Sequence, residues 1–226
     1  MEYEEVVAEL KRMSIASQRD LERMYTRFGI NAGNAIGLTM PEQKRFAKRL
    51  GRDHELALLL WNTNIHEAKT IAALIDDPKQ VTEAQMEKWV KDFDSWDICD
   101  GCCGYLFDKT PFAYEKAVEW SKRKEEYVKR AGFVLMASLA VHDKTAGDRR
   151  FEEFLPIIRR EATDDRNFVK KAVNWALRQI GKRDRRLNRL ALKTAMEIKK
   201  LDSRDARWIA SDAIRELTSR AVLKRL

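Results

Sequence analysis

Apolar residues recur three and four positions apart along most of the chain, a spacing that places them on one side of an α-helix. Ile65, Ala68, Ile71, Ala72 and Ile75 form one such stripe. Further stripes run over residues 3–13, 46–50, 56–60, 118–120, 127–139, 151–158, 168–180, 187–198 and 206–217. No run alternates over five or more residues between hairpin turns, so the pattern predicts helices and no sheet.

Several helix boundaries can be read from individual residues. Pro41 stands where a first helical turn would begin, and Gly51 ends the apolar stripe that follows it. Thr82 has the side chain of an N-cap, and Gln85, three residues later, would complete a capping box. Pro78 breaks the chain just before that helix.

The stripes predict about a dozen helices of roughly 10–18 residues with short connections. Two architectures suit such a series, a compact bundle and an α-solenoid of stacked helix pairs. Pairs of stripes recur at roughly 35–40 residues, which is in the range of HEAT-like repeats.

Composition limits the class of protein further. The 226 residues include only 4 Pro and 9 Gly, and 44% are hydrophobic, which is typical of a helical globular chain and excludes disorder. The chain has no apolar run of about 18 residues and begins with an acidic segment, so we expect neither a membrane span nor a secretory signal. The three cysteines lie within residues 99–103 and form no disulfide framework, so we expect a reducing, cytoplasmic location.

The net charge of +8 is unevenly distributed. Residues 159–226 hold 20 Lys and Arg against 9 Asp and Glu, a net charge of +11, whereas residues 1–158 have a net charge of −3. A basic segment favours a polyanionic partner such as nucleic acid, and an anionic membrane surface is a weaker alternative. A solvated surface of Lys- and Arg-rich helices explains the same count.

Four residues are candidates for chemistry. Trp96 and Asp100 are four positions apart and would share one helix face. Arg130 comes just before an almost wholly apolar helix, where a guanidinium could hold a phosphate or a carboxylate. Trp175 lies in a basic amphipathic segment, seven residues after Phe168. Taken singly, each is also explained as a packed aromatic or a structural ion pair.

Together these segments resemble the AlkD family of DNA alkylation-repair glycosylases. The family's Trp-x-x-x-Asp pair is matched in SWDICD by Trp96 and Asp100, and its Arg before an apolar helix is matched in VKRAGFVL by Arg130. Its second Trp is matched in KKAVNWALRQIGK by Trp175, and GLTMPE at residues 37–42 resembles an N-terminal family element. The order and spacing hold over roughly residues 20–185.

The resemblance implies a single domain over residues 1–226, folded as an all-α solenoid or superhelix of HEAT-like antiparallel helix pairs with a basic concave face. It also implies excision of cationic N-alkylated purines, such as 3-methyladenine and 7-methylguanine, from duplex DNA in base excision repair. Asp100 would stabilise the cationic sugar and orient water, Trp96 and Trp175 would flank the lesion, and Arg130 would hold a phosphate. The DNA-binding residues would be Phe28, Phe168, Lys170, Lys171, Arg178, Lys182 and Arg183. No metal or other cofactor, no membrane and no obligate protein partner are expected, and the protein is expected to be a monomer.

Two departures and one alternative accompany this interpretation. The segment from Phe28 to Asn34 is rich in Gly and Asn, so the match of Phe28 to a DNA-facing aromatic rests on its position alone, and Asn167 replaces the first aromatic of a family Phe-Phe pair. Because some relatives with this fold are thought not to be glycosylases, the alternative is a non-catalytic HEAT-like module that binds DNA or a protein.

We expect structural roles, and no catalytic or metal-binding role, for the cysteines, the histidines and Glu67. Cys99 and Cys102 have a C-x-x-C spacing, but the three histidines (His54, His66 and His142) show no paired ligand spacing, so a zinc site lacks its other ligands. His66 and Glu67 stand where a helix would begin, which favours capping or packing over catalysis.

Overall fold

A computed structural model describes residues 2–14, 17–31 and 33–226 of the chain, and none of these residues lies in a β-strand. The chain divides into two compact units, Met1–Thr110 and Pro111–Leu226. Ala32, which belongs to the Gly- and Asn-rich segment, lies outside the described residues. The expectation of one domain over residues 1–226 stays a prediction.

The first unit contains seven α-helices among its described residues. They are α1 (Tyr3–Arg12), α2 (Gln18–Thr26), α3 (Met40–Leu50), α4 (His54–Trp61), α5 (His66–Ile75), α6 (Glu83–Lys91) and α7 (Trp96–Tyr105), followed by a short 3-10 helix, Phe107–Lys109. α5 packs against α3, α4 and α7 and is therefore the central helix of this unit.

The second unit contains helix pairs followed by a short last helix. Its elements are α8 (Ala113–Trp120), α9 (Glu126–His142), α10 (Asp148–Glu152), α11 (Phe154–Glu161), α12 (Asn167–Ile180), α13 (Arg185–Lys199), α14 (Arg204–Leu217) and α15 (Arg220–Leu223). α12 packs between α9 and α14, while α8 packs on α9, α11 on α12 and α13 on α14. These consecutive pairs confirm the predicted all-α class.

The predicted boundaries of α3 are confirmed, and the structure adds a cap. Pro41 lies in the first turn, and Gly51 ends the helix with a φ of 77°, a conformation that L side chains rarely adopt. The backbone N–H of Thr39, the N-cap residue, donates to Glu42 Oε2 at 2.8 Å, so Thr39 and Glu42 form a capping box.

Three details of the helix prediction are wrong. Thr82 caps α6 as expected, but Gln85 donates its side-chain amide to Asp76 at 2.7 Å instead of completing a capping box. Leu59 is 48% exposed, because the buried side of α4 carries Leu56, Ala57, Leu60 and Trp61. The stripe over residues 151–158 forms two short helices instead of one.

Pro156 explains that break. A proline has no N–H to donate and its ring clashes with the carbonyl four residues earlier, which here belongs to Glu152. Glu152 is the last residue of α10, and α11 begins at Phe154.

Large aromatic side chains form the core of the first unit. Trp61 of α4 and Trp89 of α6 are fully buried and stacked, with their ring centroids 3.9 Å apart and their planes 4° from parallel. Phe93 and Phe107 contact this pair from the following segments. The stack joins α4 to α6 in the core of this unit.

The second unit depends on a close approach between α8 and α9. A Cβ atom placed on Gly132 would lie 2.5 Å from the backbone nitrogen of Ser121 and 2.9 Å from the carbonyl oxygen of Ala117. No larger side chain fits between these two backbones, so Gly132 sets the distance between the helices.

We expect Gly132→Ala to lower the free energy of unfolding by about 1–3 kcal/mol, because the added methyl group must push two backbones apart. Urea unfolding followed by circular dichroism measures this change. Gly147→Ala is the matched control, since nothing lies within 4 Å of its added Cβ. Equal stability of the two variants would contradict the close approach.

Candidate nucleic-acid interface

Trp96 and Asp100 are placed by the start of α7. Ser95 occupies the N-cap position, so Trp96 is the first residue of the helix. The Ser95 hydroxyl donates to Asp97 Oδ1 at 2.6 Å, and its oxygen accepts no capping hydrogen bond from the backbone N–H groups of the first turn. Asp100 follows Trp96 by four residues and shares its face, and both side chains are half-buried.

Phe28 lies next to Trp96, although 68 residues separate the two in the sequence. The indole Nε1 of Trp96 donates to the carbonyl oxygen of Phe28 at 2.9 Å. The Phe28 ring is 59% exposed, while the Trp96 ring is half-buried. The structure therefore brings together three residues that the sequence proposed for the site: Phe28, Trp96 and Asp100.

A buried carboxylate holds the segment that carries Phe28. Glu67 of α5 is 0% exposed and accepts the hydroxyl of Tyr25 at 2.9 Å, the backbone N–H of Ile36 at 2.9 Å and that of Gly37 at 2.7 Å. Burial, then the charge and the hydrogen bond of Glu67, raise the pKa of Tyr25, so its hydroxyl stays protonated and continues to donate. Glu67 thus fixes the polypeptide on both sides of Phe28.

The neighbouring residue, His66, holds α7. Its Nε2 lies 2.7 Å from Asp97 Oδ2, and its ring meets that of Tyr25 edge-on at 5.8 Å. Burial lowers the pKa of His66, but the hydrogen bond and charge of Asp97 outweigh it, so the pKa of His66 is raised. Burial likewise raises the pKa of Asp97, but the bond to His66 outweighs it and the pKa of Asp97 is lowered.

Sequence reasoning expected His66 and Glu67 to cap or pack, and it missed their partners. The signal available in the sequence was a carboxylate at the start of an apolar helix, where the helix dipole favours a negative charge. Nothing in the sequence showed that this acid would be fully buried and would bind the segment at residues 25–37.

Arg130 and Phe168 meet in the second unit. Arg130 is 6% exposed, and its Nη1 donates to the carbonyl oxygen of Phe168 at 2.6 Å. The Phe168 ring lies 5.7 Å from that of Tyr127. The guanidinium therefore joins α9 to the first turn of α12, and its assignment to a DNA phosphate stays a prediction.

Trp175 lies seven residues after Phe168 on α12, two helical turns away along the same side. Its side chain is half-buried, and Lys171, one turn before it, is exposed. Trp96 and Asp100 belong to the first unit, whereas Arg130 and Trp175 belong to the second.

Most of the predicted phosphate-binding cations have acidic partners on α14. Lys170 Nζ lies 2.6 Å from Asp205, and Lys182 Nζ lies 2.6 Å from Glu216, which Arg178 also contacts. We call this row of pairs between α12 and α14 the ion-pair ladder. Lys170, Arg178 and Lys182 thus have a structural role as partners of the acids on α14, and their DNA-binding role stays a prediction.

Arg183 has a different structural role. Its Nη1 donates to the carbonyl oxygens of Ala140 and Asp143, both at 2.8 Å, and its guanidinium lies 3.9 Å from the centre of the Phe151 ring. These contacts satisfy carbonyl groups at the end of α9, where a helix leaves acceptors without intrahelical donors.

The cysteines are packing residues. Cys99, Cys102 and Cys103 are buried in α7, and burial raises the pKa of Cys102 and of Cys103, which keeps both thiols protonated and unreactive. Within the described residues, no group of three or more His, Cys, Asp or Glu side chains could hold a metal ion. None of the helices described is long and apolar enough to cross a membrane.

We expect Glu67→Gln to lower the free energy of unfolding by about 1–3 kcal/mol. Glutamine has one acceptor oxygen where the carboxylate has two, so at least one of the three donors loses its partner. Chemical unfolding monitored by tryptophan fluorescence measures the loss. Glu55→Gln, at an exposed position on α4, is the control, and a loss no larger than that of the control would contradict the role of Glu67.

The His66–Asp97 pair predicts a pH-dependent stability. Because the pKa of His66 is raised on folding, its charged ring stabilises the fold fully below about pH 6.5, and this contribution disappears as the pH rises through the folded-state pKa. We therefore expect His66→Gln to cost more stability at pH 5.5 than at pH 9, as measured by urea unfolding. An equal cost at the two pH values would show that the pair is not ionic.

Comparisons with known proteins concern the fold and the family of the chain. A solved structure with a TM-score of 0.76 and 19% identity, covering 95% of both chains, is described as belonging to "a new family of proteins related to the HEAT-like repeat DNA glycosylases with affinity for branched DNA structures". An engineered protein with 14% identity, covering 90% of this chain and 99% of its own, has a TM-score of 0.40, too low to support an argument. No curated protein matches the sequence. The first likeness confirms the predicted HEAT-like fold.

The family model described as "DNA alkylation repair enzyme" matches residues 8–217, which is nearly the whole chain. The match includes α7 with Trp96 and Asp100, and it also includes α9 and α12 with Arg130 and Trp175. The chain belongs to the DNA alkylation repair enzyme family.

Proposed function

We propose that the chain is a DNA N-glycosylase that excises cationic N-alkylated purines, such as 3-methyladenine and 7-methylguanine, from duplex DNA in base excision repair. Membership of the family supports a repair enzyme. The observation that carries the proposal is the position of Asp100 one turn after Trp96 on α7, with Trp96 bonded to the segment that carries the exposed Phe28.

Alkylation of a purine ring nitrogen gives the base a positive charge and weakens its bond to the sugar. When the bond between C1′ and the base nitrogen breaks, the electron pair leaves with the base, which departs as a neutral molecule. The sugar becomes oxocarbenium-like, and a water molecule then adds to C1′ and loses a proton. The base needs little acid catalysis, so stabilisation of the cationic sugar is the main task of the enzyme.

Asp100 has the chemistry for that task. A carboxylate beside C1′ lowers the energy of the developing positive charge, and it also accepts a hydrogen bond from the attacking water. The electron-rich faces of Trp96 and Trp175 favour a cationic sugar or base that lies against them. None of these steps requires a metal ion or an organic cofactor.

The rest of the chain would bind the DNA backbone. Lys171 is exposed, and Arg130 and Phe168 are joined at the start of α12, where a phosphate next to the lesion would lie. The net charge of +11 over residues 159–226 attracts the DNA backbone, and this attraction does not depend on the base sequence of the DNA. We further propose that the protein acts as a cytoplasmic monomer without an obligate protein partner.

The second candidate is a module with the same fold that binds DNA without excising a base. Its support is the solved structure with a TM-score of 0.76, which is related to the glycosylases and has affinity for branched DNA. A protein-binding module is the third possibility. Steep loss of DNA affinity with salt is common to both DNA-binding functions, whereas binding insensitive to salt indicates a protein partner.

We expect Asp100→Asn to reduce release of 7-methylguanine from methylated duplex DNA by about 10²- to 10³-fold, as is typical when one electrostatic group is removed from a transition state. Affinity for the same duplex should change less than about 3-fold, because the amide keeps the shape of the side chain. Single-turnover excision and fluorescence anisotropy measure the two quantities.

Asp165→Asn, at an exposed position just before α12, is the control for the change in charge. A thermal unfolding curve verifies that the Asp100 variant is folded. Undiminished excision by a folded Asp100→Asn protein would remove Asp100 from the mechanism. Measurable DNA binding by the unmodified chain with no excision of any alkylated base would favour the non-catalytic module.

A further inference from the structure

The acidic and the basic side chains of α14 lie on neighbouring faces of the helix. Asp205, Asp212 and Glu216 are spaced by seven and four residues, so they lie on one face, and all three contact α12. Asn174 of α12 also donates to Asp212 at 2.7 Å. The acids of α14 are thus occupied by the ion-pair ladder and by this amide.

The open side of α14 has a different composition. Arg204, Trp208, Ser211 and Arg215 are spaced by four, three and four residues, so they form one stripe along the helix, and all four are exposed. We call these four residues the α14 stripe. It contains no acidic residue, and the exposed Arg207 adjoins it.

Trp208 is the aromatic residue of the α14 stripe, and it is 43% exposed. Lys170 of α12 lies over its ring, with Nζ 5.5 Å from the ring centroid, while the same Nζ pairs with Asp205 at 2.6 Å. The ladder therefore holds a cation against part of the indole and leaves the remainder of the ring open. A large exposed indole fixed in this way is an aromatic platform, since its position is set before any ligand arrives.

Arginines stand on both sides of this platform. With a rise of about 1.5 Å per residue, Arg204 lies about 6 Å before Trp208 along the helix and Arg215 about 10 Å after it. These intervals are comparable with about two and about three nucleotide steps of a stacked strand, which are about 3.4 Å each. Arg215 contacts Asp212 with its side chain 77% exposed, Arg207 pairs with Asp202 at 3.5 Å, and Arg204 is exposed.

We propose that the α14 stripe is a second DNA-binding surface, on which an unpaired base stacks on Trp208 while Arg204 and Arg215 bind the adjoining phosphates. The proposal rests on the DNA-binding part of the proposed function and goes beyond it, because it adds a single-stranded ligand that base excision from duplex DNA does not require. Stacking on an aromatic ring between cations is how proteins bind single strands without sequence preference.

Charge complementarity favours nucleic acid over a protein partner for this surface. A protein interface usually buries a contiguous apolar centre with few charges. Here a single exposed aromatic ring lies between Arg204 and Arg215 along the helix, an order that matches the alternation of base and phosphate along a DNA strand. A paired base inside a duplex cannot present its face to Trp208, so the proposal specifies unpaired bases.

The test compares two DNA ligands of equal duplex length, one blunt and one with a single-stranded overhang of about eight nucleotides, by fluorescence anisotropy at fixed salt. Trp208→Ala should weaken binding of the overhang ligand by about 5- to 100-fold, the usual effect of removing one stacking ring. Its effect on the blunt ligand should be less than about 2-fold. Trp208→Phe should restore most of the overhang affinity, because phenylalanine keeps an aromatic face.

Met196→Ala is the matched control. Met196 on α13 is 53% exposed and lies three residues from Lys193 and from Lys199, so it is a large apolar side chain among cations without an aromatic ring. Met196→Ala should leave the affinities for the overhang ligand and for the blunt ligand unchanged. If Trp208→Ala behaves like Met196→Ala on the overhang ligand, or if the unmodified chain does not prefer the overhang, the proposal is wrong.

Excision of 7-methylguanine from the blunt duplex is measured on the same Trp208 variants. If the Trp208 variants excise the base normally and bind the overhang ligand as tightly as the unmodified chain, the α14 stripe does not bind single-stranded DNA. The proposed glycosylase function would then stand. If Trp208→Ala selectively weakens binding of the overhang ligand but the unmodified chain excises no base, DNA binding by the α14 stripe is supported and the proposed glycosylase activity is wrong.

Discussion

The candidate site of the first unit depends on one buried carboxylate. Glu67 has no access to water, and a charge in that position persists only if hydrogen bonds replace its hydration. Tyr25, Ile36 and Gly37 supply those bonds, and in doing so they fix the polypeptide on both sides of Phe28. The adjacent His66 binds Asp97 on the first turn of α7. One turn at the start of α5 therefore positions both the exposed Phe28 and the helix that carries the proposed catalytic pair.

The second unit uses charge in a different way. Its cations outnumber its acids, yet the acids of α14 are placed where α12 presents lysine and arginine, as in the pairs of Lys170 with Asp205 and Arg178 with Glu216. These pairs are partly buried between the two helices, and each joins α12 to α14. Neutralising the acids between the helices leaves the outward sides of α12 and α14 positive.

Much of the fold could be predicted from the sequence because helix periodicity is a local property. The boundaries of α3 follow from Pro41 and Gly51, and the buried α9 follows from its nearly continuous apolar residues. The break between α10 and α11 could also have been predicted from Pro156. A proline has no N–H to donate to the carbonyl four residues earlier, and its ring clashes with that carbonyl. Leu59 could not be placed, because which side of a short apolar helix is covered depends on its neighbours.

The site was less predictable than the fold. Family resemblance supplied Trp96, Asp100, Arg130 and Trp175, but contacts between distant segments decided what surrounds them. The bond from Trp96 to Phe28 joins residues 68 positions apart, and the bond from Arg130 to the carbonyl oxygen of Phe168 joins residues 38 positions apart. The exposure of Trp208 depends on which side of α14 meets α12, which the periodicity of one helix does not reveal.

We propose that this HEAT-like helical chain, with Trp96 and Asp100 on one face of α7, breaks the N-glycosidic bond of a cationic base. The most direct measurement incubates the unmodified protein with methylated duplex DNA and analyses the released bases by chromatography. We expect free 7-methylguanine and 3-methyladenine, with one abasic site formed for each base released. Tight, salt-dependent binding of the same DNA without release of either base would contradict it.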